Sequence, residues 1–248
     1  MLSDVLLFVA VGFAAQLVDG AIGMAYGLTS TTVLLSLGVP PATASASVHA
    51  AEVFTTGASA LSHWRLGNVD AALFRRLALP GILGGAAGAY LLTEIPGDAV
   101  QPLVSVYLGI MGGLVLWKAL RSRPARETPP RYVGALGLAG GFLDAIGGGG
   151  WGPLVASTLA GAGTKARFVI GSTNAAEFLV TATISATFVL TIGLDLWPII
   201  LGLVIGGVLA APFAALAARK MPDRPLMILV GVVIIILSLR GIVQSFIL

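Results

Sequence analysis

Apolar stretches of about 20 residues recur along the chain, the length a helix needs to cross a hydrocarbon core. Uninterrupted spans fit 43–62, 71–93, 99–118, 168–189, 197–218 and 226–246. Two further apolar segments, 4–37 and 132–160, are broken in the middle by an Asp/Gly stretch. The breaks read DGAIGMAYG at 19–27 and DAIGGGGWG at 144–152. A helix over 5–18 would rise about 21 Å, past the midplane of a core about 30 Å thick. The breaks are therefore expected deep in the membrane, where non-helical backbone survives only when buried in protein or lining a wet cavity.

The two breaks stand at a constant offset of 125 residues. At that offset Ser47, Ala50, Ala51, Glu52 and Thr56 fall on Ser172, Ala175, Ala176, Glu177 and Thr181, Asp70 on Asp195, and Gly81 on Gly206. Ten of the 38 positions from 19 to 56 are identical without a gap, which reads as an internal duplication.

Charge fixes how the halves insert. Basic loops are formed by Arg65, Arg75 and Arg76, by Lys118, Arg121, Arg123, Arg126 and Arg131, by Lys165 and Arg167, and by Arg219, Lys220 and Arg224. Loops 38–45, 94–98 and 193–197 carry no Lys or Arg. Assigning the basic loops to the cytoplasm leaves only Arg240 elsewhere. Loop 63–76 is then inside and its repeat partner around 188–197 outside, so the halves are inverted and each crosses an odd number of times. The predicted fold is an all-α polytopic membrane protein of two inverted-topology repeats, 1–118 and 132–248, joined by a cytoplasmic linker at 119–131. Each repeat holds one Gly-rich re-entrant helical hairpin and three transmembrane helices. Both termini are predicted outside.

Composition narrows the function classes. Only 10% of residues are charged against 57% hydrophobic, far from a soluble domain. Segment 4–37 lacks a basic start and a small-residue cleavage site, so it does not read as a signal peptide. The absence of cysteine excludes disulfides, thiolate metal sites and cysteine nucleophiles. The net charge of +3 is accounted for by topology and not by a nucleic-acid partner. An intramembrane enzyme finds no support, since neither an H-E-x-x-H nor a G-x-S-x-G motif is present. No cofactor and no metal are expected.

Two constellations carry candidate chemistry. The tips offer Gly20, Gly23 and Gly27 in one half and Gly147, Gly148, Gly149 and Gly150 in the other, with Tyr26 and Trp151 as walls. Glycine lets backbone N–H groups approach a ligand, and helices restarting after each tip would point their N-termini at an anion. The competing reading is close packing, since Gly23/Gly27 and Gly148/Gly152 fit G-x-x-x-G. Asp19 and Asp144 have the alternative reading of helix breakers and caps. The second constellation is SVHAAE at 47–52 against STNAAE at 172–177. Ser47, His49, Ser172 and Asn174 are candidate substrate contacts. Glu52 and Glu177 fall near mid-membrane, where a carboxylate is functional by default. Each Glu either caps the free N–H groups of a tip or carries a coupling proton, with His49 beside Glu52 favouring Glu52 for the proton. Asp70 and Asp195 start their spans and read as N-caps.

These paired tips, each followed by an [HN]-A-A-E helix, resemble the TauE/SafE family of sulfite exporters, over about 5–246. The resemblance implies a secondary transporter exporting sulfite, sulfoacetate or related sulfur-containing anions by alternating access across the bacterial inner membrane, with proton coupling as an option. Its partners would be that small anion and the lipid bilayer; the oligomeric state is open, a homodimer included. The alternative is a cation or cation/proton exchanger that uses the paired glutamates. An anion site needs backbone N–H groups to converge, and a cation site needs both carboxylates to converge.

Overall fold

A computed structural model describes residues 2–22, 24–121, 132–160, 166–193, 197–220 and 223–247. The described residues are helical nearly throughout. In order the elements are α1 (Leu2–Ile22), α2 (Tyr26–Ser36), α3 (Pro41–Arg65), α4 (Ala71–Glu94), α5 (Gly97–Leu120), α6 (Val133–Gly147), a π-helical stretch (Trp151–Ala156) running into α7 (Ser157–Ala160), α8 (Ala166–Ile192), α9 (Trp197–Lys220) and α10 (Asp223–Ile247). All six expected spans coincide with helices, and both Asp/Gly stretches interrupt a helix. The linker from 122 to 131, Lys165 and Asp195 lie outside the described residues.

Local chemistry sets several boundaries. Asp70 precedes α4 and its carboxylate accepts a hydrogen bond from the Leu73 N–H at 2.9 Å, the N-cap read from sequence. Pro41 opens α3, where its missing N–H has no intrahelical partner to lose. Gly67, with φ 66°, turns the chain away after α3.

Four helices are long and apolar enough to cross a membrane by length and composition: Ala71–Glu94, Gly97–Leu120, Phe168–Ile192 and Met227–Gln244. Helix α3 is long enough but too polar for that set, because it carries Ser45, Ser47, His49 and Glu52, all buried. Its polar groups face protein, while Leu83, Leu103, Leu190, Val208 and Ile236 stand exposed on the surrounding helices. An apolar exterior around a polar interior is what lipid as solvent selects.

The packing interleaves the two halves of the chain. Helix α1 runs parallel to α9, and α6 runs parallel to α4. Helices α3 and α8 pack antiparallel, as do α5 and α10. The parallel pairs meet through glycine. A Cβ on Gly12 would strike the Leu203 carbonyl, and one on Gly206 the Val9 carbonyl. A Cβ on Gly84 would likewise strike the Leu138 carbonyl, and one on Gly141 the Gly81 carbonyl. Backbones this close gain dispersion contacts that bulkier residues forbid, which is how helices associate in lipid.

This packing yields a stability prediction. Gly84→Ala forces α4 away from α6 and lowers stability by about 1–3 kcal/mol, the usual cost of overpacking. Gly113→Ala, whose added Cβ meets nothing within 4 Å, is neutral or mildly stabilising. Thermal unfolding of both variants in detergent checks the contrast.

Candidate functional site

The two broken hairpins meet tip to tip. A Cβ on Gly27 would lie 2.7 Å from the Gly148 carbonyl oxygen and 2.8 Å from the Gly149 Cα, and one on Gly149 would strike the Leu28 N–H nitrogen. Gly27 and Gly149 are glycine because two backbones touch there. The packing reading therefore applies to both, and a large residue at 149 would part the tips before it could block a ligand. Gly148 takes φ 64°, a left-handed conformation that ends α6. In the first tip, Ala25, just before α2, takes φ 98° without being glycine.

Each tip is closed by its own aspartate. The Tyr26 N–H donates to Asp19 Oδ1 at 3.2 Å, and the Trp151 N–H donates to Asp144 Oδ1 at 2.9 Å. Both bonds span seven residues, so the cap reading of these aspartates holds in both halves. The aromatic walls are pinned across the molecule. Tyr26 OH donates to the Leu203 carbonyl on α9 and Trp151 Nε1 to the Thr173 carbonyl on α8, both at 3.2 Å. Behind the second tip, Lys118 at the end of α5 donates to the Pro153 carbonyl at 2.5 Å and to Ser157 Oγ. Lys118 is therefore also a brace for the π-helical stretch, beyond its part in the basic loop.

Between the tips, α3 and α8 lies a cavity of about 290 Å³. Asp19, Glu52, Asp144 and Glu177 all line it, and among the described residues no lysine or arginine does. Glu52 lies within electrostatic reach of the other three. Fourteen lining residues form seven pairs at the 125-residue offset: Asp19 with Asp144, Met24 with Gly149, Ala25 with Gly150, Tyr26 with Trp151, Gly27 with Gly152, Leu28 with Pro153, and Glu52 with Glu177. Among the described residues no group of three His, Asp or Glu is placed to hold a metal ion.

Several expected site residues stand elsewhere. Ser47 donates to the Thr43 carbonyl of its own helix, a back-bond that takes it out of the site. Ser172 accepts from the Asp70 N–H at 2.8 Å and so supports the start of α4. Gly147 packs under the Tyr107 ring and Gly148 against Thr31, neither of them on the cavity. Gly20 lies within α1, with nothing described beyond its backbone, and Gly23 lies outside the described residues. Asn174 lines the cavity and donates to Ser59 Oγ at 2.9 Å.

His49 turns out to serve a different partner. It is i, i+3 from Glu52 on the helix, but its Nε2 sits 3.2 Å from Asp144 Oδ2 in the other half. Its Nδ1 is 2.8 Å from the Ser45 carbonyl oxygen, which can only accept. Nδ1 donates there, and Nε2 faces Asp144. The contact ties the two halves of the chain together, and it is where a proton bound by the pair would sit. The glutamates differ as well. The Gly27 N–H donates to Glu52, whereas Glu177 receives no hydrogen bond among the described residues. The tip N–H groups of Tyr26, Gly27 and Trp151, candidates for cradling an anion, are thus already held by carboxylates.

Thr55, Thr56 and Ser59 also line the cavity, at i+3, i+4 and i+7 from Glu52. That helical spacing was readable, since it places them on the glutamate's own face. Tyr107, whose OH donates to the Gly149 carbonyl at 3.0 Å, had no such signal, because its partner is 42 residues away.

Comparison with known proteins bears on this arrangement. A family profile described as "Sulfite exporter TauE/SafE" matches residues 8–241. The "Probable membrane transporter protein YtnM" of Bacillus subtilis (strain 168) is 39% identical over 255 residues, covering 99% of this chain and 85% of that protein. The "Probable membrane transporter protein ORF9" of Sinorhizobium sp is 31% identical over 163 residues, covering 63% of this chain and 62% of its own. No solved structure matches. The matched region takes in both hairpins and the whole cavity, and the chain belongs to the TauE/SafE sulfite exporter family of membrane transporters.

Proposed function

We propose that the chain is a secondary transporter, and not an enzyme, that exports small sulfur-containing anions such as sulfite or sulfoacetate by alternating access, with protons bound alongside. The observation that carries this reading is the single chamber walled by seven repeat-related pairs, four of its side chains being carboxyls. A binding site between repeats near the membrane midplane is the arrangement that alternating access uses. The sulfur anion is suggested by the family description, and the chamber adds a constraint. An ionised carboxylate about 5 Å from a bound anion costs about 3 kcal/mol at an effective dielectric of about 20. That is roughly a hundredfold in affinity. An anion therefore binds best when the carboxyls around it hold protons.

The proposal extends to architecture. Repeats 1–118 and 132–248 are inverted about the linker 119–131. Supporting this, α3 and α8 are repeat partners and run antiparallel, as do α5 and α10. The cross-packing exchanges under the same relation, α1 on α9 answering α6 on α4. The charge pattern of the loops supports a bacterial inner-membrane protein with both termini outside.

A cation or cation/proton exchanger is the second reading, favoured by one observation: four carboxyls converge and among the described residues no lysine or arginine accompanies them. The double variant Glu52→Gln/Glu177→Gln separates the two. Glutamine still accepts from the Gly27 N–H but removes charge. Purified protein should bind a fully ionised alkylsulfonate as well as or better than the unmodified protein, by up to about a hundredfold at alkaline pH. Loss of alkylsulfonate binding with intact folding would refute the anion reading; binding of a monovalent cation that vanishes in the variant would establish the second.

The proton assignment has its own test. In unmodified protein reconstituted in vesicles, uptake of the same alkylsulfonate should strengthen as pH falls, because protonation removes repelling charge. His49→Asn gives the first half the residue that the second half carries at the matching position. It should leave transport measurable but flatten that pH profile. A profile unchanged in His49→Asn would return the proton to Glu52 or Glu177.

A further inference from the structure

Besides the seven pairs, six residues line the cavity without their partners: Gln16, Thr55, Thr56, Ser59, Ala156 and Asn174. Their counterparts at the 125-residue offset are Gly141, Val180, Thr181, Ile184, Thr31 and His49. None of these counterparts lines the cavity. Val180, Thr181, Ile184 and His49 are 0% exposed and Thr31 is 1% exposed. Gln16 precedes Asp19 on α1 and lies toward the Pro41 end, whereas the unpaired residues of α3 and α8 share the opposite direction. Thr55, Thr56 and Ser59 continue α3 beyond Glu52 toward Arg65, and Asn174 precedes Glu177 on antiparallel α8. All four lie toward the end of the molecule that carries Arg65 and Ala166. Those four extend the cavity toward that end, which the charge pattern assigns to the cytoplasm, and on the Pro41 side the second hairpin is closed against the first half of the chain.

Four hydrogen-bond contacts make the seal. Thr31 Oγ1 donates to the Gly148 carbonyl at 2.7 Å, Ser45 Oγ to the Ala145 carbonyl at 2.5 Å, and Tyr107 OH to the Gly149 carbonyl at 3.0 Å. His49 Nε2 meets Asp144 Oδ2 at 3.2 Å. Each of these contacts joins a side chain of the first half to the second hairpin. At the repeat offset Thr31, Ser45 and Tyr107 become Ala156, Ile170 and Val232, none of which can donate from its side chain. His49 becomes Asn174, which is occupied with Ser59. The end toward Arg65 therefore lacks the side chains for an equivalent seal.

We infer that Thr31, Ser45, His49 and Tyr107 are a latch that holds the Pro41 end shut, and that the opposite-facing form opens a path lined by Thr31, His49, Val180, Thr181 and Ile184. This rests on the alternating-access reading. A second observation points the same way. Among the described residues, the hydroxyls of Thr29, Thr181 and Ser185 are buried without a hydrogen-bond partner. Unpaired buried hydroxyls are unfavourable, and water entering from the Pro41 end would pair them. The sealed path already carries the polar groups that a wet path needs. A polar latch also suits a repeated transition, because water can replace each bond as it breaks.

The native chain has no cysteine, so single cysteines report access directly. Thr56→Cys and Thr181→Cys are made in the full-length protein and labelled with a membrane-impermeant thiol reagent in vesicles of both orientations. Thr56→Cys should react from the Arg65 side and Thr181→Cys hardly at all. Removing two latch donors with Thr31→Val and Tyr107→Phe should speed Thr181→Cys labelling from the opposite side about tenfold, and slow Thr56→Cys from its own side. Thr31→Ser, which keeps a hydroxyl, should behave as the unmodified background. A Thr181→Cys rate indifferent to the latch variants overturns the inference. So does a rise in both rates together, which would mean general loosening. None of these measurements uses a substrate. The expected labelling without any sulfur-anion transport would defeat the functional proposal and leave the latch standing. Transport with an unresponsive Thr181→Cys would defeat the latch alone.

Discussion

The contact on which the rest of the molecule depends is the backbone-to-backbone approach of Gly27 to Gly148 and Gly149. Two helices broken in mid-course can end deep in an apolar protein only if their loose backbone groups find partners. Thr31 supplies one across the hairpins, to the Gly148 carbonyl, and Asp19 and Asp144 supply others within their own tips. With the tips in contact, the positions of the four carboxyls follow. Asp19 and Asp144 close their own tips. Glu52 and Glu177 come in from the antiparallel pair α3 and α8 that flanks the tips. The cavity is the space that this arrangement leaves, and its walls repeat in pairs because the elements that make them do.

Much of this was legible in the chain. Periodic apolar runs located the spans because a helix in lipid has no alternative way to satisfy its backbone. The offset of 125 residues tied Asp19 to Asp144 and Glu52 to Glu177, and these four do meet. Partnership was harder to read than position. Spacing of i, i+3 put His49 and Glu52 on one helix, yet the imidazole reaches Asp144, because side-chain direction and a neighbouring hairpin decide the partner. Ser47 and Ser172 occupy matching positions in the two halves and look equivalent. In fact one back-bonds within its helix and the other supports the start of α4. Tyr107 and Lys118 act on the second hairpin from α5, and no local pattern could link residues 35 to 42 positions apart.

The positions paired at the 125-residue offset are alike in place more than in partnership. Asp19 and Asp144 accept from their own tips in the same way. Tyr26 and Trp151 are pinned to different helices, and of the two aspartates His49 meets only Asp144. Farther out a threonine answers to alanine, a serine to isoleucine and a tyrosine to valine. The two sides of the chamber are therefore free to do different things with similar carboxyls.

The interleaving of the halves has a consequence for biogenesis. Helix α1 packs chiefly on its parallel partner α9 and less on α2 and α10, so most of its packing surface is missing until residues 197–220 have been made. Helix α6 is better placed, since α4 precedes it. The N-terminal hairpin must therefore wait for its main partner while nearly the whole chain is inserted. Such late, long-range closure is where folding slows and misassembly competes. Neither half, severed at the linker, would hold its own hairpin, and a working molecule would form from two fragments only if both were present in the membrane together.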